Sequence, residues 1–151
     1  MARQVRRFQV SPTVDTAVYA ANDQVSTLQR LKIATAMRRG GDIKLITVMD
    51  AGLQKSALDL FFFDRSVTVA ADNAAASFSD ADMAFCLGVV NILAADYDDN
   101  AANSIATVAI DFPVMSFTAD AFLYMAIVSR GTPDYVAATD LVISVTLVVE
   151  E

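Results

Sequence analysis

The chain has no histidine and no tryptophan, and its only cysteine is Cys86. Without histidine there is no Ser-His-Asp or Cys-His catalysis and no imidazole ligation of a metal. One cysteine cannot close an internal disulfide, which fits a protein made in a reducing cytoplasm. Cys86 stands in an apolar run with no neighbour in sequence to stabilise a thiolate, so it reads as a small buried hydrophobe. No G-x-S-x-G, Walker loop or G-x-G-x-x-G is present. No repeat of fixed period appears, which excludes a solenoid or propeller. The longest uncharged apolar run, Met83 to Ala95, includes Gly88 and Asn91 and falls short of the roughly 20 residues that span a bilayer. The opening MARQVRRFQV is basic but has no apolar stretch behind it, so no secretory signal and no membrane partner are expected.

What is present is apolar and strand-forming. Hydrophobic residues make up 55% of 151 positions and mean hydropathy is +0.44, which argues strongly against a disordered chain and suits one domain with a real core. The stretch Gly41 to Asp64 organises the rest. Ile43, Leu45 and Thr47 alternate with Lys44, Ile46 and Val48, as side chains do along a strand. Asp50-Ala51-Gly52 is turn chemistry, and a second strand follows through Leu58, Leu60 and Phe62. Phe61, Phe62 and Phe63 in succession require cover on both faces, which places this strand pair near the centre of a sheet.

Further strands are expected at Val14–Tyr19, Leu28–Met37 (ended by Arg38-Arg39-Gly40-Gly41), Gly88–Ala94, Ser104–Asp111, Phe122–Val128 and Leu141–Val149, with 65–71 as a strand or extended segment. Pro113 should interrupt its strand, with Val114–Phe117 continuing as a bent or edge piece. Ser79 should cap one helical turn carrying Asp80 and Asp82. The expected fold is all-β: a single-domain antiparallel sandwich, jelly-roll-like, of about 8–10 strands with at most one short helical turn. Residues 1–10 read as a basic N-terminal arm or edge strand, and 11–151 as the sandwich.

Charge is unevenly spread. Residues 1–55 hold nine basic side chains against four acidic ones, a net +5; the remainder holds two against 14, a net −12. A basic segment on an acidic protein (pI ≈ 4.4) suits a contact with an acidic protein surface, its own or a neighbour's, better than with nucleic acid, which is not expected as a partner; solvated charge with no partner is the plain alternative. Arg3, Arg6, Arg7 and Phe8 are the candidate contact residues.

Other clusters have plain structural readings. Asp96, Asp98 and Asp99, with Asn100 and Asn103, offer several oxygens to a calcium ion, but the spacing is not that of an EF-hand and a solvated hairpin tip explains it. Asp80 and Asp82 could pair for acid–base work, yet helix capping accounts for them. Tyr19, Tyr97, Tyr124 and Tyr135 are too scattered for a sugar platform, and Tyr124 lies inside an apolar strand. No cofactor is expected.

Several short motifs, in this order, resemble a group of small structural proteins of tailed bacteriophages. They are Ser11-Pro12-Thr13-Val14-Asp15-Thr16, Val18-Tyr19-Ala20, Asn22-Asp23-Gln24-Val25, Ile46-Thr47-Val48-Met49-Asp50 and Gln54-Lys55-Ser56-Ala57-Leu58-Asp59-Leu60. Phe62-Phe63-Asp64, Asn73-Ala74-Ala75, Ser79-Asp80-Ala81-Asp82, Leu87-Gly88-Val89-Val90 and Ser129-Arg130-Gly131-Thr132-Pro133-Asp134-Tyr135 follow, so the likeness spans nearly the whole chain. The resemblance implies a β-sandwich without enzymatic activity, made in the host cytoplasm and placed on the virion as a capsid decoration (cement) protein. The major capsid protein is then the expected partner, and a homotrimer the expected assembly. A tail, baseplate or neck component and a jelly-roll carbohydrate-binding adhesin module are the other functions such a fold suits.

Overall fold

The computed structural model describes residues 3–33, 41–114 and 122–150. Among them are nine strands: β1 (Arg3–Val10), β2 (Gln24–Lys32), β3 (Gly41–Asp50), β4 (Leu58–Phe63), β5 (Cys86–Ile92), β6 (Tyr97–Asp99), β7 (Ser104–Val114), β8 (Phe122–Ser129) and β9 (Leu141–Glu150). One helical turn, α1 (Asp80–Met83), and a 3-10 turn at Ala94–Asp96 complete the regular structure. The strands form two sheets, ordered β1-β9-β3-β7-β6 and β2-β8-β4-β5, and every neighbouring pair is antiparallel. The chain changes sheet at most of its connections, and this order is that of a jelly-roll sandwich.

The alternation in each strand dictates the packing. Leu141, Ile143, Val145, Leu147 and Val149 of β9 point inward with Ile43, Ile46 and Val48 of β3. They meet Leu58, Leu60 and Phe62 of β4 and Leu123, Met125 and Ile127 of β8 from the facing sheet. The opposite face of β4 carries Phe63, which is fully buried in a second cluster with Val67, Tyr124 and Ala126, flanked by Phe61, Phe78 and Phe85. Residues 64–85 therefore lie across the outside of the four-stranded sheet. This segment supplies the second cover that three successive phenylalanines demand.

Some expectations need correction. β3 and β4 are not a pair: β3 lies between β9 and β7, β4 between β8 and β5, in different sheets. Asp50-Ala51-Gly52 turns the chain across the sandwich instead of back along the same sheet. Its carboxylate accepts from the Gly52 and Lys55 amides at 2.8 Å each, and Leu53 and Lys55 sit at φ 55° and 48°. Val14–Tyr19 is a loop, held by separate backbone and side-chain hydrogen bonds instead of a ladder. Residues 65–71 are extended without pairing. β7 continues through Pro113, which aligns with Asp42. The ladder tolerates the proline because β6 reaches only to Ala106, so Pro113 lies on an edge that needs no donor. Tyr97–Asp99 is a strand where a loop was expected. The helical turn is as expected, with the Ser79 hydroxyl accepting from the Asp82 amide at 3.0 Å. The Arg38-Arg39-Gly40 turn, residues 34–37 of the strand before it, and 115–117 of the expected bent strand fall outside the described residues.

Candidate functional site

The basic N-terminal segment is built into the fold. β1 pairs with β9 from Arg3↔Glu150 to Val10↔Ile143, so Arg3, Arg6, Arg7 and Phe8 belong to an edge strand and not to a trailing arm. Period-two alternation then separates them. Phe8 packs on the core opposite Val145, while Val5, opposite Val148, is 70% exposed on the outer face. Arg6 donates to the Gln4 side-chain oxygen, and Arg7 lies over the sheet and donates to the Ser144 hydroxyl at 2.9 Å. Neither Arg6 nor Arg7 meets a carboxylate among the described residues. β2 approaches β1, and carries Arg30 (its guanidinium 5.2 Å from the Phe122 ring) and Lys32. The β1/β2 side of the sandwich is thus basic.

The opposite side is apolar and acidic. An open groove of about 400 Å³ between β5 and β7 is lined by Val89, Val90, Val108, Ile110, Asp111 and Phe112. Asp111 and Asp42 share one cation, Lys44, whose pKa is raised chiefly by its hydrogen bond to Asp111. The three carboxylates singled out for calcium do not converge. Asp96 accepts from the Leu93 amide of its own turn at 2.8 Å, Asp99 pairs with Lys55 at 2.8 Å, and Asp98 is exposed on β6. Among the described residues no group of three acidic or cysteine side chains is placed to hold a metal, and no helix is long and apolar enough to cross a membrane. Asp80 and Asp82 serve the capped turn, Asp82 also accepting from the Thr68 amide at 3.4 Å. Cys86 is partly buried and its thiol pKa is raised by that burial, away from reactivity.

The four tyrosines are all buried. Tyr19 and Tyr135 meet edge to face at 6.0 Å. The Tyr19 hydroxyl donates to Asp72 at 2.7 Å and accepts from the Asp15 amide at 2.6 Å, and Asp72 also accepts from the Ser26 amide. Tyr97 donates to the Ser56 carbonyl at 2.9 Å. Burial is the main reason that the phenols of Tyr19, Tyr97 and Tyr135 are pushed above their ordinary pKa. Beside them Asp50 is fully buried, and its pKa is raised by burial despite the backbone amides it accepts. These groups lock loops together: Val14 donates its amide to Ala138, Tyr19 to Pro133, Gln24 to Ala74 and Ser129 to Asp23. Residues 11–25, 73–75 and 129–135, three stretches that carry the phage-protein resemblance, meet here at one end of the sandwich.

Sequence reasoning missed one surface feature. The outer face of the five-stranded sheet is uncovered by any described element. Its rows read Arg7, Thr146, Leu45, Ala109; then Gln9, Ser144, Thr47, Thr107; then Val142, Met49, Ile105. No charge stands in the β9, β3 and β7 columns of these rows, whereas the equivalent face of the other sheet is roofed by residues 64–85. Charges stand at the rim: Arg3 and Arg7 on one side, Asp98 on the other, Asp42 with Lys44 and Asp111 at one end.

No family model matches the chain, and no curated protein matches it. Among solved structures it is similar to a chain of Desmodium yellow mottle tymovirus, at 9% identity and a TM-score of 0.29, over 99% of this chain and 82% of that one. No functional argument follows from a likeness of that size.

Proposed function

We propose that this protein is a structural component of a virion, a decoration (cement) protein on the outside of a tailed-phage head. It works as a non-enzymatic, self-associating sandwich, with the trimer at a threefold position as its assembly. The observation that carries the reading is the face of the five-stranded sheet that no described element covers, with no charged residue in the central rows of β9, β3 and β7. A face of valine, threonine, leucine, methionine and alanine with charges only at its rim has the build of an interface: an apolar centre surrounded by polar groups. The order of phage-like motifs along the chain supports the same reading. Jelly rolls also serve lectins and small-molecule binders, so the fold by itself does not choose among them. A sugar platform needs exposed rings, and Tyr19, Tyr97, Tyr124 and Tyr135 are all in the interior.

Many weak contacts repeated over a shell give a cement protein its avidity, with no pocket chemistry required. The test is a pelleting assay with heads of the source phage that lack this protein. Saturable binding at a fixed ratio to the major capsid protein supports the reading. Recovery in tails, or no binding to any particle, overturns it.

A further inference from the structure

We infer that copies of this chain join edge to edge, with β1 of one molecule lying antiparallel against residues 107–114 of β7 in the next. This deepens the oligomer of the reading above by naming the two surfaces that form it.

Both edges are open among the described residues. β1 has β9 on one side and no strand on the other, and β6 covers β7 only from Ser104 to Ala106. Apart from Pro113, which has no amide to give, these open edges leave backbone donors and acceptors ready for another strand. The two open segments also stand at the same height. Across the sheet one row reads Val5, Val148, Asp42, Pro113; the next reads Arg6, Leu147, Ile43, Phe112; a third reads Phe8, Val145, Ile46, Val108. A neighbouring molecule in the same orientation therefore brings its Gln4–Phe8 level with Val108–Val114 without sliding along the strands. The direction fits too. β1 and β3 run the same way because both are antiparallel to β9, and β7 is antiparallel to β3. A second molecule's β1 placed beside β7 continues the antiparallel alternation.

The chemistry of the two edges is complementary. β1 brings Arg6 and Arg7, neither paired with a carboxylate among the described residues, and the exposed Val5. The β7 side brings Asp111, with its side chain 78% exposed, and Asp42, with Lys44 as their shared cation. On the inner side of β7 lies the apolar groove formed by Val89, Val108, Ile110 and Phe112. Arg6 has the inward parity of Phe8, so its aliphatic stem comes over that groove while its charge reaches the rim. Such a contact is heterologous: each molecule uses one edge to give and the other to receive, and a constant rotation closes a ring. The contact also removes two exposed edges that would otherwise invite uncontrolled pairing.

The experiment is sedimentation velocity over a wide concentration range, on the wild type, Arg6→Glu/Arg7→Glu, Asp111→Arg and the combination of all three. Circular dichroism melting confirms that each variant is folded. The wild type is expected to form a closed oligomer. Each single-edge variant should weaken association by at least about tenfold in Kd, and the combined variant should recover part of it by restoring opposite charges. A wild type that stays monomeric overturns the inference, as does equal association by all four proteins or a combined variant no better than either parent. The two readings fail separately. A monomer that still pellets with heads removes the edge contact and leaves decoration standing; an oligomer that binds no particle does the reverse.

Discussion

Replacing Gly88 with alanine tests how the two edge strands β5 and β7 are held against each other. Gly88 sits at φ 155°, in a region that residues with a side chain rarely adopt, and the Phe112 ring from β7 lies directly over it. A methyl there would be 3.6 Å from Phe112 Cδ2 and far inside the van der Waals radii of Cε2 and Cζ. Phe112 in turn leans on the buried Phe62 ring at 5.9 Å, so it cannot retreat inward. Overpacking of this kind costs about 1–3 kcal/mol. The backbone conformation adds roughly 1–3 kcal/mol for a residue with a Cβ. Gly88→Ala should then lose about 2–6 kcal/mol out of a typical total of roughly 5–15, lowering Tm by about 4–24 °C for a domain of this size. Urea unfolding followed by circular dichroism measures it. Removing the ring in Gly88→Ala/Phe112→Ala should recover the overpacking part, leaving a coupling of about 0.5–3 kcal/mol between the two sites. A single variant that costs less than about 0.5 kcal/mol, or a double variant whose losses simply add, would refute the contact.

Three other outcomes follow from the buried polar groups. In the unfolded chain a tyrosine ionises near pH 10, and burial holds Tyr19, Tyr97 and Tyr135 above that. Their contribution is therefore intact below about pH 10 and is lost as pH rises, at roughly 1.4 kcal/mol per pH unit for each phenol. Tyrosinate absorbance, undisturbed by tryptophan, should appear together with loss of the circular dichroism signal in one steep alkaline step; three phenols titrating smoothly in a folded protein would contradict this. Tyr19→Phe removes the donor to Asp72 and the acceptor for the Asp15 amide, and should cost about 1–3 kcal/mol by urea unfolding, whereas an unchanged midpoint would remove that network from the account. Asp50→Ala orphans the Gly52 and Lys55 amides in a loop with two residues at positive φ, and should cost about 2–4 kcal/mol with faster amide exchange in 51–57; unaltered exchange there would show the carboxylate is not what pins the loop.

The strands that could be read from the sequence are those whose pattern is local. β9 alternates without a break from Leu141 to Val149, and the Phe61-Phe62-Phe63 run of β4 demands cover on both faces. Pairing was harder to read, because Asp50-Ala51-Gly52 has the same turn chemistry whether the chain reverses in one sheet or crosses to the other. Tyr97–Asp99 has no apolar alternation and becomes a strand only because Ser104–Ala106 offers a ladder. Val14 and Tyr19 are buried by hydrogen bonds to residues 53 or more positions away, or from loops at the far end of the chain, which no window of sequence displays. The open face of the five-stranded sheet stayed hidden for a related reason. Alternation reveals which residues share a face, but not that residues 64–85 fold over one sheet while no described element covers the other. The arginines of β1 were visible as charge, while their place at an open edge, level with the open part of β7, depends on the register of four strands.

The most direct test of the decoration account is the number of molecules bound per major capsid subunit, for the wild type and for Thr47→Asp/Met49→Asp. These two residues point outward from the central strand β3, between β9 and β7, so their replacement leaves the core and both edges untouched. The account predicts saturable binding by the wild type and its loss in the variant, with both proteins equally folded and equally oligomeric. Undiminished binding of the variant would show that the bare face is not what holds this protein to the shell.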